Sequence, residues 1–344
     1  MKEWVSSVLG SEHRLAMPIM THPGITMIRK NVLDAVTDSN IHFQAITAMN
    51  DHFPAAASTI IMDLTVEAEA FGCKINFSEE EVPSISESLV HDIASVERLK
   101  VPDLTMGRMK EYIEATRLSA TNISDKPVFA GCIGPFSLAG RLFGMTDILT
   151  AIYLEPDTII KLLSKCTMLL TEYARAFKRA GSNGIIIAEP AAGLLPPEMC
   201  DQFSSDFVKH IVDAVQDDHF LAILHNCGRA NELIPSMLGT GAGGLHLGNA
   251  SDIIAALDDI PSDILVFGNL DPVGIFRNSS PKEIEKATFS LLEQTRWNRN
   301  FIISSGCDVP PGVSFANIRA FYTALDKYHW CNFECRMDDR QRRA

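Results

Sequence analysis

His225 and Cys227 stand two residues apart in Leu224-His225-Asn226-Cys227-Gly228, and Cys307 closes Ser304-Ser305-Gly306-Cys307. Imidazole and thiolate are the donors that hold zinc-type metals. Each segment ends an apolar run, Phe220 to Leu224 before the first and Phe301 to Ile303 before the second, with the length and composition of buried strands. Strand side chains alternate between faces, so His225 and Cys227 point the same way if extended geometry holds that far. Two ligands alone make a poor site, and Cys307 supplies a third if the two strand ends meet. The competing reading is that a His or Cys at a strand end is packed or hydrogen-bonded. No compact zinc-finger spacing is present.

Bringing Cys307 beside His225 and Cys227 requires a particular set of elements. Short apolar runs recur along the chain: Met17 to Thr21, Ser58 to Asp63, Pro127 to Cys132, Asn183 to Glu189, the run into His225, Gly243 to Leu247, Ile264 to Gly268 and Phe301 to Ser304. Helical patterning falls between them, over Asn31 to Pro54, Leu104 to Thr121, Ser137 to Gly181 with a break near Pro156, Pro196 to Gln216, Asn231 to Leu238, a stretch after Asp252, Ser280 to Trp297 and Ser314 to Tyr328. Ser251 or Asp252 offers a helix cap, and Ser280-Pro281-Lys282-Glu283 has the form of a capping box with proline in the first turn. The strands are near-continuous apolar runs, as parallel strands buried on both faces should be. Eight such units predict a (β/α)8 TIM barrel as a single domain over residues 1–330, with an acidic insertion near 72–85, a solvated loop or a hairpin, and a C-terminal tail over 331–344. A barrel places its site at the C-terminal ends of the strands. His22, Asp63, Glu189, His225, Cys227, His246, Asn269, Asp271 and Cys307 collect there. A doubly wound sheet is the alternative, and it would bring the ends of the fifth and eighth strands together less readily.

Composition narrows the function. The chain has 344 residues, 46% hydrophobic and 21% charged, so it can bury a large core. A formal net charge of −13 speaks against a nucleic-acid partner, which would need a basic stripe. The basic cluster Arg336 to Arg343 is interrupted by Asp338 and Asp339. No apolar run reaches transmembrane length, and Met1-Lys2-Glu3-Trp4 lacks the apolar core of a signal peptide. Eight cysteines in a chain this long are no disulfide framework. The expected setting is a reducing cytoplasm, with cysteines that are buried, catalytic or metal-bound.

Five motifs occur in order: Thr21-His22-Pro23-Gly24, the stretch Asp63 to Gly72, Gly134-Pro135-Phe136-Ser137-Leu138-Ala139-Gly140, His225-Asn226-Cys227-Gly228 and Gly306-Cys307. Together they resemble the uroporphyrinogen decarboxylase superfamily over roughly residues 18–325, and within it the corrinoid-dependent methyltransferase branch. The resemblance implies a (β/α)8 barrel. It also implies zinc held by His225, Cys227 and Cys307, a methylcorrinoid donor carried on a separate protein, and a small thiol as acceptor. Zinc deprotonates a coordinating thiol and leaves it nucleophilic. Glu189 and Asp63 become catalytic candidates, Glu189 either as a fourth ligand or behind the ligands. His22, His246 and Asn269 become candidates to line the substrate pocket, with structural roles for each histidine as the alternative. The other branch, a lyase decarboxylating a tetrapyrrole, would need arginines to clamp carboxylates. The paired arginines of that branch's motif are absent from His22 to Lys30.

Overall fold

The structure, a computed structural model, describes the backbone of residues 1–343 and the side chains of residues 1–329. Its strands in chain order are β1 (Ser58–Thr59), β2 (Ile75–Asn76), β3 (Ser84–Ile85), β4 (Val128–Ile133), β5 (Gly184–Ala188), β6 (Leu221–Asn226), β7 (Gly244–Leu247), β8 (Leu265–Leu270) and β9 (Phe301–Ser305). Seven of them form one parallel sheet in the order β1-β4-β5-β6-β7-β8-β9. Spatial order follows chain order, and helices fill the connections, which is the arrangement of successive βα units. The insertion near 72–85 is the antiparallel hairpin β2–β3.

The sheet has seven strands where eight were expected, and the difference lies at its ends. The first expected strand, residues 17–21, makes only a bridge from Ala16 to Ile303 on β9. Met17 N–H donates to the Ile303 carbonyl, Ile303 N–H to Leu15, and Ala56 N–H to the Ala16 carbonyl. Pro18 removes the N–H that would face the Ala56 side, and the Ile19 N–H donates to the Ser305 hydroxyl at 3.2 Å, so neither ladder extends. The second expected strand stops at Thr59 rather than Asp63 because the Ile61 N–H donates to the His42 ring, 2.9 Å away, instead of to a neighbouring strand.

Residues 31–54 are two helices, Val32–Thr37 and Ser39–His52, divided at Asp38, whose carboxylate caps the second. Asp252 and Ser280 cap their helices as their residue types suggest, Ser280 in a full capping box with Glu283. The boundary expected at residue 330 falls inside the helix Phe315–Arg343, and the basic cluster Arg336 to Arg343 lies outside the residues whose side chains are described.

One apolar cluster forms the inside of the curled sheet: Met17, Ile19, Phe129, Ile186, Ile223, Phe267 and Ile302 pack together with almost no exposure. Alternation along β6, β7 and β9 puts His225, His246 and Ser304 on that same inward side.

Candidate metal centre

Cys227 follows directly on β6 and Cys307 lies two residues beyond β9. β6 and β9 are three strand steps apart, about 14 Å in a flat sheet. Nevertheless the donor atoms of His225, Cys227 and Cys307 all lie within 4.8 Å of one another. Only strong curling of the sheet can bring these ends together, which a flat doubly wound sheet does not provide. Two sulfurs bound tetrahedrally to one zinc would be about 3.8 Å apart, so a small contraction would seat an ion.

The chemistry of the donor set fits zinc on a second ground. His225 Nε2 is buried and has no hydrogen-bond partner, an expensive condition for a lone pair unless something binds it. The other ring nitrogen, Nδ1, lies 3.1 Å from the His246 carbonyl oxygen, which holds the ring in place. The chain also makes room for Cys227: a Cβ on Gly248 would come within 2.5 Å of the Cys227 Cα, so only glycine at the end of β7 permits the approach.

The two thiols lie close enough to shift each other's titration in opposite directions. Hydrogen bonding from the Cys307 thiol is the largest influence on Cys227 and lowers its pKa to about 4 against burial. Cys307 moves upward, first because its proton is held by Cys227 and then because it is buried.

The remaining candidates fall elsewhere. Glu189 is not among the three clustered donors; its carboxylate accepts the backbone N–H of Phe136 at 2.9 Å and of Ser137 at 2.6 Å, at the start of the helix Pro135–Phe143. Asp63 lines the mouth cavity but is engaged by Arg108, the Thr65 hydroxyl at 2.7 Å and the Tyr112 hydroxyl at 3.3 Å. Arg108 also donates to Glu69 at 2.6 Å. Asn269 spends its amide on the carbonyls of Gly248 and Ser251. His246 contacts His225 and Ser304, and its pKa falls well below the ordinary value through burial and then through His225. His22 begins a short helix, His22–Met27, and its Nε2 lies 3.2 Å from Asp308. Burial works against a charged His22 ring, but Asp308 and, after it, Asp63 together outweigh it and the pKa rises.

Four participants escaped sequence reasoning. Asp308 was signalled only by adjacency to Cys307, and Arg141 by its place after the glycine of the Gly-Pro-Phe-Ser stretch. Arg108 and Ser304 lie in no motif of their own. A cavity of about 850 Å³ opens at this end of the sheet, lined by His22, Asp63, Arg141, Arg277, Asp308 and the hairpin residues Glu79 to Val82, among others. Arg141 is half-buried and makes no hydrogen bond or ion pair at contact distance among the described residues. Its pKa is lowered by burial, although Asp63, Glu67 and Cys73 oppose that at longer range.

Comparison with known proteins places this geometry in context. The family profile described as "Uroporphyrinogen decarboxylase (URO-D)" matches residues 13–328. The methylcobamide:CoM methyltransferase MtbA of Methanosarcina acetivorans is 29% identical over 278 residues, 80% of each chain, and its Methanosarcina mazei counterpart is 28% identical. A uroporphyrinogen decarboxylase of Coxiella burnetii is 24% identical over 292 residues, covering 82% of this chain and 80% of the other. Among solved structures, a methyltransferase from Methanosarcina mazei superposes with a TM-score of 0.86 at 21% identity, over 95% of this chain and 98% of that one. A B12-independent methionine synthase from Shewanella shares the fold at a TM-score of 0.61 and 12% identity, over 94% and 97% of the two chains. The match over residues 13–328, together with these relatives, establishes that the chain belongs to the uroporphyrinogen decarboxylase family.

Proposed function

We propose that this protein transfers a methyl group from a methylcobalt corrinoid, presented by a separate corrinoid protein, to a small thiol such as coenzyme M. The observation that carries the reading is the meeting of His225 Nε2, without a partner, with the sulfurs of Cys227 and Cys307 at the open end of the sheet. The likeness to methylcobamide:CoM methyltransferase MtbA supports it. His225, Cys227 and Cys307 would hold zinc, leaving a position for an exogenous group. When bound, zinc supplies the positive charge that favours the acceptor's thiolate over its thiol.

The chain's own residues do the rest. Two cysteine ligands keep the site's net charge low, so an acceptor sulfur there retains its electron density. Arg141, an unpaired cation on the cavity wall, suits an acceptor that carries an anionic group away from its thiol. The segment Leu15 to Met20 takes the position of the eighth stave of the family's barrel, through its hydrogen bonds to Ile303 on one side and Ala56 on the other. Among the described residues all six cysteines are free, which suits a reducing cytoplasm, and no helix is long and apolar enough to cross a membrane.

The decarboxylase reading has Asp63 on the cavity wall in its favour, and Arg141 and Arg277 on that wall could meet carboxylates. The ion pair with Arg108 weakens it, because the Asp63 carboxylate is already neutralised. The test is to incubate zinc-loaded protein with methylcobalamin and a panel of thiols, following thioether formation by mass spectrometry, with uroporphyrinogen in a parallel arm. Methylated thiol without coproporphyrinogen is the expected result. Efficient decarboxylation without methyl transfer would reverse the assignment.

A further inference from the structure

A buried chain of hydrogen bonds runs from the His225 ring to the backbone of the first apolar segment. His225 Nδ1 lies 2.8 Å from His246 Nδ1. His246 Nε2 lies 2.9 Å from the Ser304 hydroxyl, and that hydroxyl donates to the Met17 carbonyl at 2.8 Å. All three side chains are at most 3% exposed. Beneath them is the apolar cluster of Ile223, Phe267 and Ile302, with the Phe267 ring stacked 6.3 Å from that of His246. In such surroundings the polar atoms can satisfy only one another.

Proton counting then gives a single consistent assignment. The Ser304 hydroxyl has one proton and donates it to Met17, whose carbonyl would otherwise be buried without a partner. Ser304 therefore offers His246 only a lone pair, and His246 Nε2 must carry a hydrogen. A neutral His246 then has a bare Nδ1. The close contact between the two Nδ1 atoms requires one donor and one acceptor, so His225 Nδ1 carries the hydrogen, shared between His246 Nδ1 and the His246 carbonyl. That leaves His225 Nε2 bare, and this is the buried ring nitrogen that faces the cysteine sulfurs with no partner.

We propose that His246 and Ser304 are positioning residues whose hydrogen-bond chain to Met17 locks His225 in the Nδ1–H tautomer, so that a lone pair and not an N–H meets the metal. The inference rests on the metal reading of the site but not on the identity of either substrate. Outer partners of this kind are worth roughly 10–100-fold in metal affinity. Without them only the bond to the His246 carbonyl still favours the hydrogen on Nδ1, and the Nε2–H form, which blocks coordination, gains population.

Nitrogen-15 NMR of histidine-labelled protein reads the tautomer directly. In wild-type protein stripped of metal, His225 should show a protonated Nδ1 and a bare Nε2. Ser304→Ala should populate the Nε2–H form of His225 and weaken zinc binding by about 10–100-fold in competition with a chromogenic chelator. Ser304→Thr, which keeps the hydroxyl, should restore both signals. A wild-type His225 protonated at Nε2 would overturn the proposal, and that measurement does not depend on any variant folding. So would a folded Ser304→Ala protein with unchanged tautomer and unchanged affinity. Failure of thiol methylation would leave these outcomes intact, so the two readings fail separately.

Discussion

A Cβ on Gly134 would sit 2.5 Å from the carboxyl carbon of Glu189. The Gly-Pro-Phe-Ser stretch is therefore a cradle for a carboxylate: Gly134 leaves the space, and Phe136 and Ser137 present backbone N–H groups to the two oxygens. The partial positive charge of a helix start favours an anion there. Burial nevertheless raises the Glu189 pKa to about 7, against the lowering effect of Ser137 and of both N–H groups.

Gly134→Ala should destabilise the fold by about 1–3 kcal/mol, the usual cost of forcing an atom into a packed site. In the Glu189→Ala background the same substitution should cost less, because the carboxyl contact at 2.5 Å is gone and only the Cβ contact at 2.9 Å remains. Urea denaturation of the wild type, both single variants and the double variant measures the coupling. Strict additivity would mean that the cradle does not depend on this contact.

Glu67 gives a pH dependence of defined sign. Its Oε1 accepts the Ile133 N–H at 3.0 Å, and its Oε2 is buried without a partner. Burial raises its pKa from 4.5 to about 7, only partly offset by the Ile133 bond. The native state thus keeps a proton that the unfolded chain has already released, so stability falls as pH rises through this interval. Glu189 is shifted in the same direction and adds to the slope. The denaturation midpoint should decline from about pH 5 to pH 8, and Glu67→Gln should flatten part of that decline. An unchanged slope in the variant would place the titrating group elsewhere.

How far these roles could be read without coordinates depended on the range of the interactions. The inner strands were legible because a strand buried on both faces must be apolar along its length, as in Gly184–Ala188 and Leu221–Asn226. His225, Cys227 and Cys307 were legible because few residue types bind zinc and each sat at the end of such a run. Pro18 was visible, but not that its missing N–H would fall on the edge facing Ala56. The capture of the Ile61 N–H by His42 and of the Asp63 carboxylate by Arg108 joins residues 19 and 45 positions apart with no periodic signature. The two-histidine chain to Ser304 is of the same kind, since it depends on how far the sheet curls.

Metal content separates the ligands from the neighbouring carboxylate. Zinc-loaded wild-type protein should retain about one zinc per chain after gel filtration, whereas Cys307→Ser and Cys227→Ser should lose most of it. Glu189→Gln should keep its metal, because that side chain is turned to the helix start and lies outside the three-donor cluster. Elemental analysis alongside protein quantification decides it. Full occupancy in Cys307→Ser would remove Cys307 from the ligand set, and loss of zinc in Glu189→Gln would bring Glu189 back to it.

Arg141 carries the prediction about the acceptor. A guanidinium that burial has partly dehydrated and that lacks a counter-ion is costly to maintain, and a bound anion would relieve the cost. Arg277 and Lys30 line the same cavity together with the hairpin acids Glu79, Glu80 and Glu81, while Asp63 and Asp308 are already engaged by Arg108 and His22. An acceptor with its thiol toward Cys227 and Cys307 and an anionic group toward Arg141 would use both features. Arg141→Met keeps the side chain's bulk and removes its charge. It should raise KM for thiols bearing a sulfonate or carboxylate by about 10–100-fold, the value of one charge-assisted hydrogen bond, 1.5–3 kcal/mol. KM for a neutral thiol of similar size should change little, and kcat should hold for both, since the interaction is the same before and during methyl transfer. Equal losses for charged and neutral thiols would show that Arg141 supports the cavity wall and does not select the substrate.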